Sequence, residues 1–248
     1  PDEISLALRY ATTQHLYEGE PSDVLGQVDV VPDHVPRFEI DEGDEEDLSD
    51  LEALAAAVEG DGDFSDRVQA LADLKEMTRM WAVEKYIGHW DGYSGMIGNL
   101  QPNNYFLHSN AGGRFTMLPW GTDQTWGGTD QLWDPRLTRL NFEGWGGVMF
   151  NECLNDDSCF ALYREAVREV RDVVAGLDLD SKAARTAALL APWQEQDLLR
   201  ESSLEEIEAA VASTRAFMAV RPSDVDAWLP QAKISKFRVR GPKKVKRK

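Results

Sequence analysis

The chain reads as an α+β protein, mostly α-helical, with one small β element. Three features predict this. Apolar residues recur at helical spacing from Ser65 to Gly88, and again from about Trp145 to Leu229. Between these stretches, β-formers at Tyr105–His108 and Arg114–Leu118 flank a turn-rich Ser109–Gly113, the pattern of a β-hairpin. The first 38 residues mix β-formers with Pro and Gly, as in VLGQVDVVPDHVPRF, and read as short strands and turns.

A chain of 248 residues is long enough to bury a sizeable core. Residues 1–230 are assigned to one unit and 231–248 to a basic tail or linker. No stretch reaches the roughly 18 unbroken apolar residues of a membrane span. The chain starts at Pro1 rather than Met, and it is read as a segment of something longer, with any targeting signal upstream. Its net charge is −18. The last 17 residues carry nine bases and no acid, so the remaining 231 carry 17 bases against 44 acids. A body that acidic argues against nucleic acid and anionic membrane as partners, because both are bound through Lys and Arg. It suits an extracellular protein or one with a basic partner.

Taken in order, Glu39–Glu52 holds nine acids and no base. The D-x-D-x-D-G spacing of a calcium loop is absent there, and EGDGDFSD at Glu59–Asp66 fails it at Phe64, so a solvated loop and an acidic helix start are expected. Ser49, with Glu52 three residues on, offers an N-cap for a helix to about Val58. Ser65 offers the next cap, for a helix of about six turns that Gly88 stops; Val68, Leu71, Leu74, Met77, Trp81 and Ile87 fall on or near one face of it. A C-terminal bundle follows, with helices near 145–154, 157–175, 181–201, 203–219 and 222–229. Ser181, Ser203 and Ser223 are the candidate caps, and Pro222 sits in the first turn of the last helix. The two cysteines, Cys153 and Cys159, lie in CLNDDSC. A disulfide is favoured over free thiols or half a metal site, and it points to an oxidising compartment.

The middle of the chain carries the chemistry. A long helix leads to H-x-D at His89–Asp91, a polar loop to Asn103-Asn104, the hairpin, and then PWGTDQTWGG with Asp123. Protein kinases use this layout. An Asp after a helix orients the nucleophilic hydroxyl, an Asn just beyond binds metal, and a hairpin returns the chain to a second Asp that holds Mg²⁺ on ATP. Taken alone, H-x-D is a common pattern. Asp91 beside Gly92 also fits a plain turn, Asn104 a turn-capping amide, and Trp120 and Trp126 ordinary core packing.

The segments EKYIGHWDGY, PNNYFLHS and FTMLPWGTDQTWGG together resemble the CotH family, the spore-coat protein H kinases. HLYEG, the acidic EDLSDL and FMAVRPSDVDAWL are similar too, so the resemblance covers roughly residues 15–230. It implies the larger, C-terminal lobe of an atypical protein kinase, secreted or on a surface. Such a kinase uses ATP and Mg²⁺ to phosphorylate Ser or Thr of a protein substrate, itself basic or rich in Ser and Thr. The resemblance implies that Asp91 is the catalytic Asp and that Asn104 and Asp123 are cofactor and metal ligands, with Asn103 a weaker candidate. Two departures stand out. The family's P-W-D-x-D loop has Gly121 in place of its first Asp, which would make a pseudokinase if that Asp were the essential ligand; the second, Asp123, followed by Gln124-Thr125-Trp126-Gly127, is weighted more. Nothing in Pro1–Phe38 resembles a Gly-rich loop or a lysine-bearing strand, and Lys75, Arg79 and Lys85 on the helix are poor substitutes. Alternatives are therefore a non-catalytic coat or surface module, or a transferase moving AMP or another group from ATP.

Overall fold

The structure is a computed structural model describing residues 3–23, 26–95, 102–123, 125–126, 142, 146–230 and 232. Its elements are α1 (Glu3–Arg9), β1 (His15–Gly19), a 3₁₀ turn (Pro32–Arg37), β2 (Phe38–Glu42), α2 (Ser49–Glu59), α3 (Phe64–Val68) and α4 (Leu74–Ile87). There follow β3 (Tyr105–Ser109), β4 (Phe115–Pro119), α5 (Val148–Asn155), α6 (Asp157–Ala175), α7 (Leu179–Gln196) and α8 (Leu204–Trp228). The architecture is α+β, as expected. The expected basic tail lies outside the described residues, apart from buried Ala232.

The predicted hairpin β3–β4 is present, but it is half of a four-stranded antiparallel sheet in the order β2-β1-β3-β4. β1 pairs with β3, placing Tyr17 opposite Leu107. Alternation along the strands sorts two faces. Tyr17, Tyr105, Leu107, Phe115 and Met117 enter the main core, whereas Leu16, Phe106 and Leu118 meet Leu6 of α1 and Tyr10 just after it on the other side. Asp50 of α2 ties the strands together by accepting the Tyr17 hydroxyl at 2.5 Å and the Ser109 hydroxyl at 2.6 Å, with His15 Nδ1 at 3.1 Å.

The single helix expected from Ser65 to Gly88 is two. Leu71–Asp73 leave the helix to pair with β4: Phe115 N–H donates to Leu71 O at 2.7 Å, and Asp73 N–H to Phe115 O at 2.8 Å. Asp73 then caps α4 by accepting from the Glu76 amide. Ser65 is not a cap, since its hydroxyl donates to Asp156 at 2.6 Å, across to the start of α6. Ser49 is not one either, as it is the first residue of α2. The Gly88 stop holds, with φ at 69° in the left-handed region.

α5 and α6 match the expected 145–154 and 157–175 closely, and Cys153 and Cys159 join them in a disulfide with Cα atoms 5.0 Å apart. α7 begins and ends earlier than expected, so Ser181 lies inside it. Ser203 forms a full capping box with Glu206. The helices placed at 203–219 and 222–229 are one continuous α8, with Pro222 and Ser223 inside it. Proline removes only one ladder bond there, and burial of Arg221, Asp224 and Val225 around it keeps the turn closed. α4 packs mainly on α6, and Trp81 of α4 is fully buried; its ring stacks 6.1 Å from Tyr93 and meets Phe150 of α5 edge-on at 5.6 Å. That packing carries the rigidity of the core directly to the loop after α4.

Candidate active site

The loop after α4 is held from beneath by Glu84, a buried carboxylate. It accepts the Tyr93 amide at 3.2 Å, the Ser94 amide at 2.8 Å and the Ser94 hydroxyl at 2.7 Å. Asp29 supports the far side. It accepts from the Tyr93 hydroxyl at 3.0 Å and from the Val148 amide at 2.6 Å, so the same tyrosine links the loop to the start of α5. Burial pushes the Asp29 carboxyl above its usual range. His89 is fully enclosed, with Nε2 3.2 Å from Gly121 O, so it joins this loop to the one after β4.

These supports leave Asp91 half-buried, with both carboxylate oxygens occupied. Asn103 Nδ2 donates to Oδ1 at 3.1 Å; Asn104 Nδ2 donates to Oδ2 at 2.8 Å and also to Asp91 O at 2.9 Å. Each carboxylate oxygen keeps a further lone pair for an incoming hydroxyl. Asn104 sits at φ 52°, a backbone region that asparagine tolerates better than most residues. Both partners of its amide nitrogen are acceptors, so its oxygen must face away from them. It faces Gly121: a Cβ there would lie 2.4 Å from Asn104 Oδ1.

Asp91, Asn103 and Asn104 are thus brought together. Asp123 lies two residues beyond Gly121 on the same loop and is exposed to solvent. Among the described residues no three His, Cys, Asp or Glu side chains cluster as a metal site. The donor set still fits a hard cation: among the described residues no donor is paired with Asn104 Oδ1, which is turned toward the loop that carries the Asp123 carboxylate. Beside Asn104 opens a cleft of about 360 Å³ lined by Glu18, Gln27, Asn103, Phe106 and Trp120. Trp120 is 55% exposed, so the expectation of core packing fails for it, because β4 ends one residue earlier and the ring stands over Phe106 at the cleft wall. Trp126 does pack on the core, edge-on to Phe217.

The family model described as CotH kinase protein matches residues 11–225. The chain belongs to the CotH kinase family. No curated protein matches it. Membership carries a kinase-like character for the chain, and the match spans every strand of the sheet and all but the last turn of α8.

In this CotH-family chain, several residues that build the site escape sequence reasoning. Glu84 is visible in the sequence only as the first residue of EKYIGHWDGY, yet it is 2% exposed and organises the loop. Asp29 lay in a stretch read as short strands and turns. Arg221 was visible solely as part of FMAVRPSDVDAWL, although it is buried and donates to Tyr86 O and Lys85 O. A charged residue inside an otherwise apolar helical run is the signal that could have singled it out.

Proposed function

We propose that this chain is the larger lobe of a secreted or surface CotH-type protein kinase that transfers the γ-phosphoryl group of ATP to a Ser or Thr hydroxyl of a protein substrate. The observation that carries the reading is the Asp91 carboxylate, fixed by two asparagine amides at the end of α4 with a lone pair free on each oxygen. Asp91 orients the acceptor hydroxyl and takes its proton as the oxygen attacks the γ-phosphorus and ADP leaves. Asn104 Oδ1 and Asp123 would hold Mg²⁺, which when bound neutralises charge on the phosphates. The disulfide supports an oxidising compartment. Transfer of radiolabelled phosphate from ATP to Ser or Thr by the full-length protein, lost in Asp91→Ala, is the test; equal labelling by that variant would sink the reading.

One observation favours a second reading. The space at Gly121 is filled by Asn104, so a carboxylate there has no room in this conformation. A pseudokinase serving as a coat or surface module follows if Asp123 alone cannot hold the cation. The full-length protein would then bind Mg²⁺–ATP weakly and transfer nothing.

A further inference from the structure

A helix leaves its last four carbonyls without donors of its own, and the end of α4 shows where those four bonds go. Glu84 O accepts from the Gly88 and His89 amides. Lys85 O accepts from Arg221 Nη2 at 2.6 Å and Tyr86 O from Arg221 Nε at 2.7 Å. Ile87 O accepts from the Trp126 amide at 2.6 Å. Three parts of the chain therefore meet on one helix end: the loop to Asp91, the loop carrying Asp123, and α8. Phe217, one turn before Arg221, reinforces the junction. Its ring lies 3.0 Å from where a Cβ on Gly88 would stand, and 6.3 Å from Trp126. Arg221 is 1% exposed, packed against Phe142 at 4.6 Å and paired with Asp224 at 3.1 Å.

We propose that Arg221 is a positioning residue, which fixes the Asp91 loop through the Lys85 and Tyr86 carbonyls and, with Trp126, the Asp123 loop, so that α8 is coupled to the candidate active site. The catalytic meaning of this coupling rests on the kinase reading; the coupling itself does not. Arginine suits the task because its planar fork reaches two carbonyls and a carboxylate at once. A lysine presents all its donors on one atom and cannot span them.

The test uses amide hydrogen exchange and phosphoryl transfer on the full-length protein. Arg221→Lys keeps the charge and loses the fork, so exchange at residues 88–95 should rise about tenfold, the equivalent of one charge-assisted bond, while the core of α6 stays protected. Asp224→Asn leaves both carbonyl bonds in place and should change that window much less. If the two variants loosen it equally, or if exchange rises evenly over the whole chain, Arg221 is only a stabilising core residue and the proposal is overturned. Should Arg221→Lys not fold, Phe217→Leu takes its place: it removes the ring from Gly88, and an unchanged window then overturns the proposal. Transfer in the wild type that falls in Arg221→Lys supports both positioning and the kinase reading. A loosened window in a protein whose wild type transfers no phosphate supports the positioning and removes the kinase reading.

Discussion

Replacing Gly121 with Ala probes the contact on which the site's geometry turns. The residue has φ 50°, and its Cβ would sit 2.4 Å from Asn104 Oδ1 and 2.7 Å from Cγ. The left-handed backbone costs about 1–2 kcal/mol for a residue with a Cβ, less about 0.5 kcal/mol from the stiffer unfolded chain. The Asn104 amide must also move, and its two bonds to Asp91 are worth about 1 kcal/mol each. The expected loss is therefore about 3 kcal/mol, read as a shift in the urea midpoint at constant slope. In an Asn104→Ala background the clash is gone and the bonds are already lost, so Gly121→Ala should cost only the backbone share, about 1 kcal/mol. The double-mutant cycle should give a coupling of about 2 kcal/mol; additivity to within about 0.5 kcal/mol would refute the packing argument.

Other expectations follow from single features. Reducing the Cys153–Cys159 disulfide frees only a short loop, so denaturation with and without reductant should differ by about 2 kcal/mol; no difference would mean the helices hold the loop closed without the bond. Burial lowers the Lys85 amine to about 8 despite the neighbouring Glu84, so folding favours its neutral form. Lys85→Met should therefore be the more stable protein at pH 7. Its advantage should shrink as pH rises through 8 toward 10.5 and the wild-type amine loses its charge in both states; an advantage independent of pH would contradict this. Asp156 is pushed up by burial, but bonds from Ser65 and the Cys159 and Ser158 amides outweigh this and hold its carboxyl below the usual range. Asp156→Ala should cost about 1–2 kcal/mol near neutral pH, and the gap should close as pH falls through the lowered folded value, because the stability a depressed carboxylate gives is lost on protonation. A gap that persists in acid would point to packing rather than charge.

The parts legible in the sequence are those with local signals. The hairpin has a turn between two alternating runs, α5 and α6 have an acidic break between them, and the Ser203 capping box is written in four residues. What escaped was non-local. β1 finds its partner some 90 residues on, and α3 and α4 separate because β4 needs Leu71–Asp73 as a neighbour, which no helical periodicity records. The merged α8 is the same lesson reversed: Pro222 signals a break, and tertiary burial of Arg221 and Val225 overrides it. At the candidate site, the order of motifs singled out Asp91 and Asn104, and the structure brings their side chains into contact. Glu84, Asp29 and Arg221 were not singled out, because their role is set by which backbone groups need a partner, and that is fixed only by the fold.

In the proposed kinase, Asp91 and Asp123 divide the work, one handling the acceptor hydroxyl and the other the nucleotide's metal. Calorimetric titration of Mg²⁺–ATP into the full-length protein, paired with radiolabel transfer, tests this directly. Asp123→Ala should lose both binding and transfer through loss of a metal ligand, whereas Asp91→Ala should bind Mg²⁺–ATP with near wild-type affinity and transfer nothing. Wild-type binding and transfer in Asp123→Ala would contradict the account.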